Sequence, residues 1–583
     1  MHKHLIFSLI IILSGILSGT AQDDDKIGTE TVTVTRAYKP TISDAFKIKS
    51  LPTLKDSIVL QKKKINYSIF SVPVASTFTP AKGKASTVKK IPPPRIFNSY
   101  GSVGLGNFNN ALVDFYTSRA INRGDERLDI GFNHHSSRGN IDGVAVDNIF
   151  YNTKLSGAFT KRDRDFDWGV RLGLQHQLYN WYGIPLGAFD EATLNGIDER
   201  QNYFNAEVGA HLNLEDSFFQ RGEILLRRFW DAAGSGENRV VLAPTIELPI
   251  ADELVTLKTK LDYVGGSFDN ANVNNEVNAP AINYSQLQFG ITPSLLILRD
   301  DLTLNLGASL VYGLDAENSD SSFFIYPSVT ASYRLVDETV IAYGGIEGEL
   351  KQNSYYGFVA DNPYVSPTLT ITPTDKQYNA YVGLKGKLLS NISYNIKGSY
   401  TAENRKPLFK QNPENPFRDD EKGYFFGNSF EVFYDDVKTL GIFAELNVDV
   451  NRNFSFGVNA EVYDYDTETD NPAWNLPNLT GSLFMDYQIG EQWFMGANLF
   501  FVGEREDVSA VVVQNTAPAD FPSTIITLDS YFDANAHIGY RFNEQLSIFG
   551  KVNNIANNNY QRWLNFPVQG FQVLAGATYK FDF

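Results

Sequence analysis

The last thirteen residues, Phe571 to Phe583, read FQVLAGATYKFDF. In an extended chain successive side chains point to opposite sides, so Phe571, Val573, Ala575, Ala577, Tyr579, Phe581 and Phe583 share one face. Gln572, Thr578, Lys580 and Asp582 fall on the other. One apolar face and one polar face is what a strand needs when it separates hydrocarbon from a wet lumen.

The same pattern repeats upstream. From Phe97 onward the chain breaks into segments of roughly 10 to 16 residues that alternate polar with apolar or aromatic. Examples are NRVVLAPTIELPI ending at Ile250, TLNLGASLVYGL from Thr303, FSFGVNAEVYDYD from Phe454 and QLSIFGKVNNI from Gln545. Helical spacing is nowhere sustained.

Two classes of connection take turns between these segments. Short ones, rich in Asp, Asn, Glu and Arg, fall at Asn122–Glu126, Lys161–Asp165, Ala251–Glu253, Arg299–Asp301, Val336–Glu338, Asn451–Asn453, Gly490–Gln492 and Asn543–Gln545. Longer ones fall at 180–199, 266–280, 352–375, 404–427 and 505–527. The two alternate strictly when 428–450 is read as one long strand, which gives about 22 strands, an even number within the range of single-chain outer-membrane barrels. A soluble sandwich offers no reason for its loops to alternate in length. The expected fold is therefore all-β, a transmembrane antiparallel barrel over 97–583 with short turns toward the periplasm and long loops outside.

Composition agrees. The chain has 583 residues, 13% of them aromatic, with 3 Met and no cysteine. Its mean hydropathy is -0.23, polar on average yet dense in Tyr and Phe, as a two-faced wall requires. A formal charge of -17 argues against a nucleic-acid partner. With no cysteine there is neither a disulfide framework nor a site for lipid attachment.

The N-terminal part reads differently. His2, Lys3 and His4 precede an apolar run from Leu5 to Leu17 and the small-residue stretch Gly19-Thr20-Ala21, the layout of a secretory signal over 1–21 cleaved after Ala21. Residues 22–96 form a short irregular periplasmic or lumenal segment, rich in proline up to Pro92-Pro93-Pro94. It is basic, with Lys62-Lys63-Lys64, Lys89, Lys90 and Arg95 among its cations, opposite in sign to the chain as a whole. Such a segment suits an acidic lumen or a periplasmic partner.

Several of these residues resemble known motifs. Tyr579, Phe581 and the terminal Phe583 resemble the assembly signal of outer-membrane barrels, which implies recognition by the barrel assembly machinery. The heptad Thr29-Glu30-Thr31-Val32-Thr33-Val34-Thr35 resembles the energy-coupling box of TonB-dependent outer-membrane receptors. The stretch from Leu546, LSIFGKVNNIANNNYQRWLNFPVQGFQVLAGATYKF, resembles the family's C-terminal hairpin. The resemblance implies an outer-membrane barrel of a gram-negative bacterium for ligand binding and energy-coupled uptake. It also implies that Glu30, Thr31, Val32, Thr33, Val34 and Thr35 pair as an added strand with a periplasmic TonB-type coupling protein. One departure stands out: the family carries a large plug domain between box and barrel, whereas here only Arg36 to Arg95 separates them.

Chemistry for catalysis is not evident, and no enzyme, cofactor or metal site is expected. His134 and His135 are adjacent on a strand and point to opposite faces. Asp464, Asp466, Glu468 and Asp470 could gather calcium but read better as a solvated acidic loop, and Arg123-Gly124-Asp125 reads as turn chemistry. Two other functions stay open: a non-transporting scaffold barrel in an outer-membrane assembly, and a passive porin.

Overall fold

The computed structural model describes residues 95–583 apart from 140, 216, 251–252, 270–280, 417–421 and 514–519. The signal 1–21, the heptad Thr29–Thr35 and the basic segment up to Pro94 lie outside the described residues.

The described chain forms a sheet closed on itself. The first strand, Ser99–Gly106, pairs on one side with Ala111–Ile121 and on the other with the last strand, Gln572–Phe581. Val103 stands opposite Ala577, and Ser102 faces Thr578 with their hydroxyl oxygens 2.9 Å apart. Closure leaves no row of unpaired N–H and C=O groups, each of which would cost several kcal/mol in hydrocarbon. The sheet contains 23 runs of strand, two of which, Gly236–Leu242 and Thr245–Ile250, are halves of one strand paired with Glu253–Phe268. The break falls at Ala243 and Pro244, where proline has no N–H to give the ladder. The described wall is therefore an antiparallel barrel of 22 strands, the number read from the sequence.

The pleat sorts the side chains. Leu155, Leu172, Leu174, Val208, Ile325, Val382 and Ile442 stand exposed on the outer face. Polar pairs face inward: Arg227 donates to Glu207 at 2.8 Å, and Arg239 to Asp262 at 2.8 Å. His134 and His135 divide between the faces as expected. His134 lies in register with Val113 and Thr153 on the outer side, and His135 with Leu112 and Asn152 on the inner.

Phe430–Asn451 runs as one strand of 22 residues, as the alternation of turns requires. Three expectations need correction. The loop expected at 404–427 begins later, because Ile392–Gln411 resumes its pairing after a bulge between Glu403 and Lys406 where Arg405 takes φ 54. The bulge breaks the period of two, so the far half of the strand reads as loop. The loop at 505–527 holds a hairpin of its own, Arg505–Ala510 paired with Ser523–Leu528, outside the wall. The alternation of lengths is also not strict, since 107–110, 232–235 and 316–319 are tight connections at the long-loop end. Positive φ at Phe108, Asn109, Gly234 and Ser319 closes them without extra residues.

Candidate functional site: a mouth closed by its loops

At the long-loop end the connections fold over the lumen and bind one another. The segment 352–373 carries the helix Tyr355–Asp361, started by Ser354, whose hydroxyl accepts from the Gly357 N–H at 3.1 Å. This helix packs on the inner wall: Tyr355 lies against Tyr203, Phe229 and Phe268 at ring separations of 6.3, 5.1 and 4.9 Å. All four rings are almost fully buried.

Two carboxylates fix the helix in place. Glu237 accepts from the backbone N–H groups of Tyr355 at 2.6 Å and Tyr356 at 3.3 Å, and from the Tyr284 hydroxyl at 2.9 Å. Asp231 accepts from the Tyr355 hydroxyl at 2.6 Å and from Gln201 at 3.2 Å. Burial pushes the Tyr355 phenol well above its ordinary pKa, so it stays a neutral donor. Glu237 is 1% exposed, and with three donors around it the cost of burying a carboxylate is offset.

A ring of contacts links the remaining loops. Tyr182 donates to the Pro567 carbonyl at 2.9 Å, joining 181–199 to 554–571. Phe566 stacks on Tyr364 with centroids 4.0 Å apart and touches Phe430 at 5.8 Å. Asn428 donates to the Trp181 carbonyl at 2.6 Å. The Val512 N–H donates to the Glu414 carbonyl at 2.8 Å, and Arg505 to the Gln561 carbonyl at 2.9 Å. The hairpin Arg505–Ala510 docks through Asp507, which accepts from the Gln411 N–H at 2.9 Å and from Asn475 at 2.7 Å. Loops from opposite sides of the wall thus meet over the lumen in an aromatic cluster.

The expected site residues are distributed otherwise. Tyr579, Phe581 and Phe583 line the outer face of the closing seam, with ring separations of 6.1 and 5.8 Å along the row. They take no part in the mouth. Glu30, Thr31, Val32, Thr33, Val34 and Thr35 lie outside the described residues. Asp464 and Asp466 pair in register with Leu440 and Lys438, and among the described residues no three His, Asp or Glu side chains gather as metal ligands. Sequence reading missed Asp231, Glu237 and Tyr355. The available signal was the run Ser354-Tyr355-Tyr356-Gly357-Phe358-Val359, too aromatic for a solvated loop.

A model of the family described as TonB dependent receptor-like, beta-barrel, matches residues 93–555, most of the chain. The chain belongs to this family. The TonB-dependent receptors are receptors and transporters rather than enzymes, and this barrel resides in the outer membrane of a gram-negative bacterium. Its fold is similar to the ferripyoverdine receptor of the Pseudomonas aeruginosa outer membrane, solved with ferripyoverdine bound (TM-score 0.59, 14% identity, 84% of this chain and 72% of that one). It is also similar to the FrpB iron transporter of Neisseria meningitidis (TM-score 0.62, 11% identity, 84% and 82%). A mutant ferric enterobactin receptor of P. aeruginosa aligns with TM-score 0.58 and 12% identity over 84% and 81%. No curated protein matches. In this TonB-dependent-receptor barrel the connections at the end opposite the loop-covered mouth are all short, while three at the mouth itself, 107–110, 232–235 and 316–319, are tight as well.

Proposed function

We propose that this barrel binds a ligand at its outer mouth and takes it up with energy delivered through a periplasmic TonB-type protein at Thr29–Thr35. The observation that carries the reading is the ring of loop contacts. A passive porin needs an open lumen, whereas a mouth latched by Glu237 and Asp231 has to be opened by ligand or by work. The structural neighbours named for ferripyoverdine, ferric enterobactin and iron transport support an iron chelate as the ligand class. The deciding experiment deletes residues 29–35 and measures ligand-dependent growth or uptake at matched surface levels. Loss of uptake supports coupling. Full uptake without the heptad rejects it, and stoichiometric partner proteins recovered through 22–96 would turn the reading to a scaffold.

A further inference from the structure

The outer face near the mouth is not uniformly apolar. On the strand Phe219–Asp231, Leu226 belongs to the exposed apolar band, and Trp230 is the last outer-facing side chain before the loop. Between them, on the same face, stands Arg228, exposed, in register with Ala206 on one side and Asn238 on the other. The next strand carries Asn202 and Arg200 on this face, nearer the rim, and Arg200 is also exposed. Neither arginine has a hydrogen bond or ion pair to any described residue. A cation on the lipid side of a barrel is costly unless it lies near the interface or meets an anion.

The surroundings are shaped for such an anion. A Cβ added at Gly236 would fall 2.4 Å from Nη2 of Arg228, so the guanidinium bends toward the rim over the space that glycine leaves free. Trp230 stacks on Phe204 (5.4 Å, 16°) and Phe204 on His176 (4.7 Å, 5°), giving a rigid aromatic floor at the interface. His176 shares a 3.0 Å hydrogen bond with the Asn202 Oδ1, which leaves the Asn202 amide to donate outward. Elsewhere on the outer face near the mouth the chain meets its own cation: Arg138, the last residue of Glu126–Arg138, donates to Asp147 at 3.2 Å. Among the described residues, Arg200 and Arg228 have no such ion pair.

We infer that Arg228, Asn202 and Arg200 form a binding site for a phosphorylated glycolipid of the outer leaflet. The two arginines are six residues apart along the wall, about 20 Å, which suits a headgroup with more than one phosphate rather than a single small anion. Arg228 takes the deeper phosphate as a charge-assisted donor, and the stacked aromatics hold the sugar and the first methylenes.

The test is native mass spectrometry of the intact, detergent-purified protein, offered bisphosphoryl and monophosphoryl lipid A in equal amounts. Wild type should retain the bisphosphoryl form about tenfold better, and Arg228→Gln or Arg200→Gln should erase most of that preference. Arg119→Gln, on the outer face at the turn end, should leave it unchanged. Both target residues are exposed, so the variants should keep the heat-modifiable gel shift of a folded barrel. Equal retention of the two lipids by wild type, or undiminished preference in the folded double variant, overturns the site.

Discussion

The backbone N–H of Tyr355 donates to Oε2 of Glu237 across 2.6 Å, joining residues 118 positions apart in a place from which solvent is excluded. This contact ties a long loop to the inner wall of the barrel. Replacing Glu237 by Ala leaves the Tyr355, Tyr356 and Tyr284 donors unpaired, at roughly 1–3 kcal/mol each. The expected outcome is faster proteolysis within 352–373 and a higher single-channel conductance, with the barrel itself still folded. An unaltered cleavage rate would show that the aromatic cluster holds the loop without the carboxylate.

Gly183 tests the ring of loops from the other side. A Cβ there would lie 2.2 Å from the Phe566 ring, so Gly183→Ala has to push apart 181–199 and 554–571. The cost is about 1–3 kcal/mol by overpacking. Cysteine pairs placed across the two loops in this cysteine-free chain should crosslink readily in the parent and poorly in the variant.

The hairpin Arg505–Ala510 should respond to pH. Burial pushes the Asp507 carboxyl from 3.8 up to about 6, so the docked hairpin holds a proton that the undocked one gives up. Docking is then strongest below about pH 4 and weakens as pH rises through 6. Between pH 7.5 and pH 5, hydrogen-exchange protection of the Val508 and Ser509 amides, corrected for intrinsic rates, should increase about tenfold. Protection that does not change with pH, or that falls on acidification, would contradict this sign. Asp507→Asn should flatten the profile.

The last residue separates assembly from stability. Phe583 is 74% exposed and touches Phe581 along the outer row, so Phe583→Ala removes little buried area. The variant refolded in detergent should unfold within about 0.5 kcal/mol of the parent, while its yield in the outer membrane should drop several-fold. Equal loss in both assays would make Phe583 a structural residue rather than an assembly signal. The nearby Arg95–Asp582 ion pair, exposed on both sides, should matter little to either.

Periodicity, a local property, decided the wall. Alternation in Phe571–Phe583 and its upstream counterparts set the faces, and even the two histidines at 134 and 135 could be sent to opposite faces from position alone. The even strand count followed because an uneven one would strand a chain end on the wrong side of the membrane. What the loops do was not legible. Arg405 shows why at small scale: one left-handed residue ends the local pattern while the pairing continues through it. Glu237 shows it at large scale. In the sequence it is one acid among 67 acidic residues, and only the folded barrel brings it under the N–H groups of a loop that the chain makes more than a hundred residues later. Closure of the mouth depends on such distant pairings, which tertiary structure alone supplies because burial, and not sequence spacing, gives a hydrogen bond there its strength.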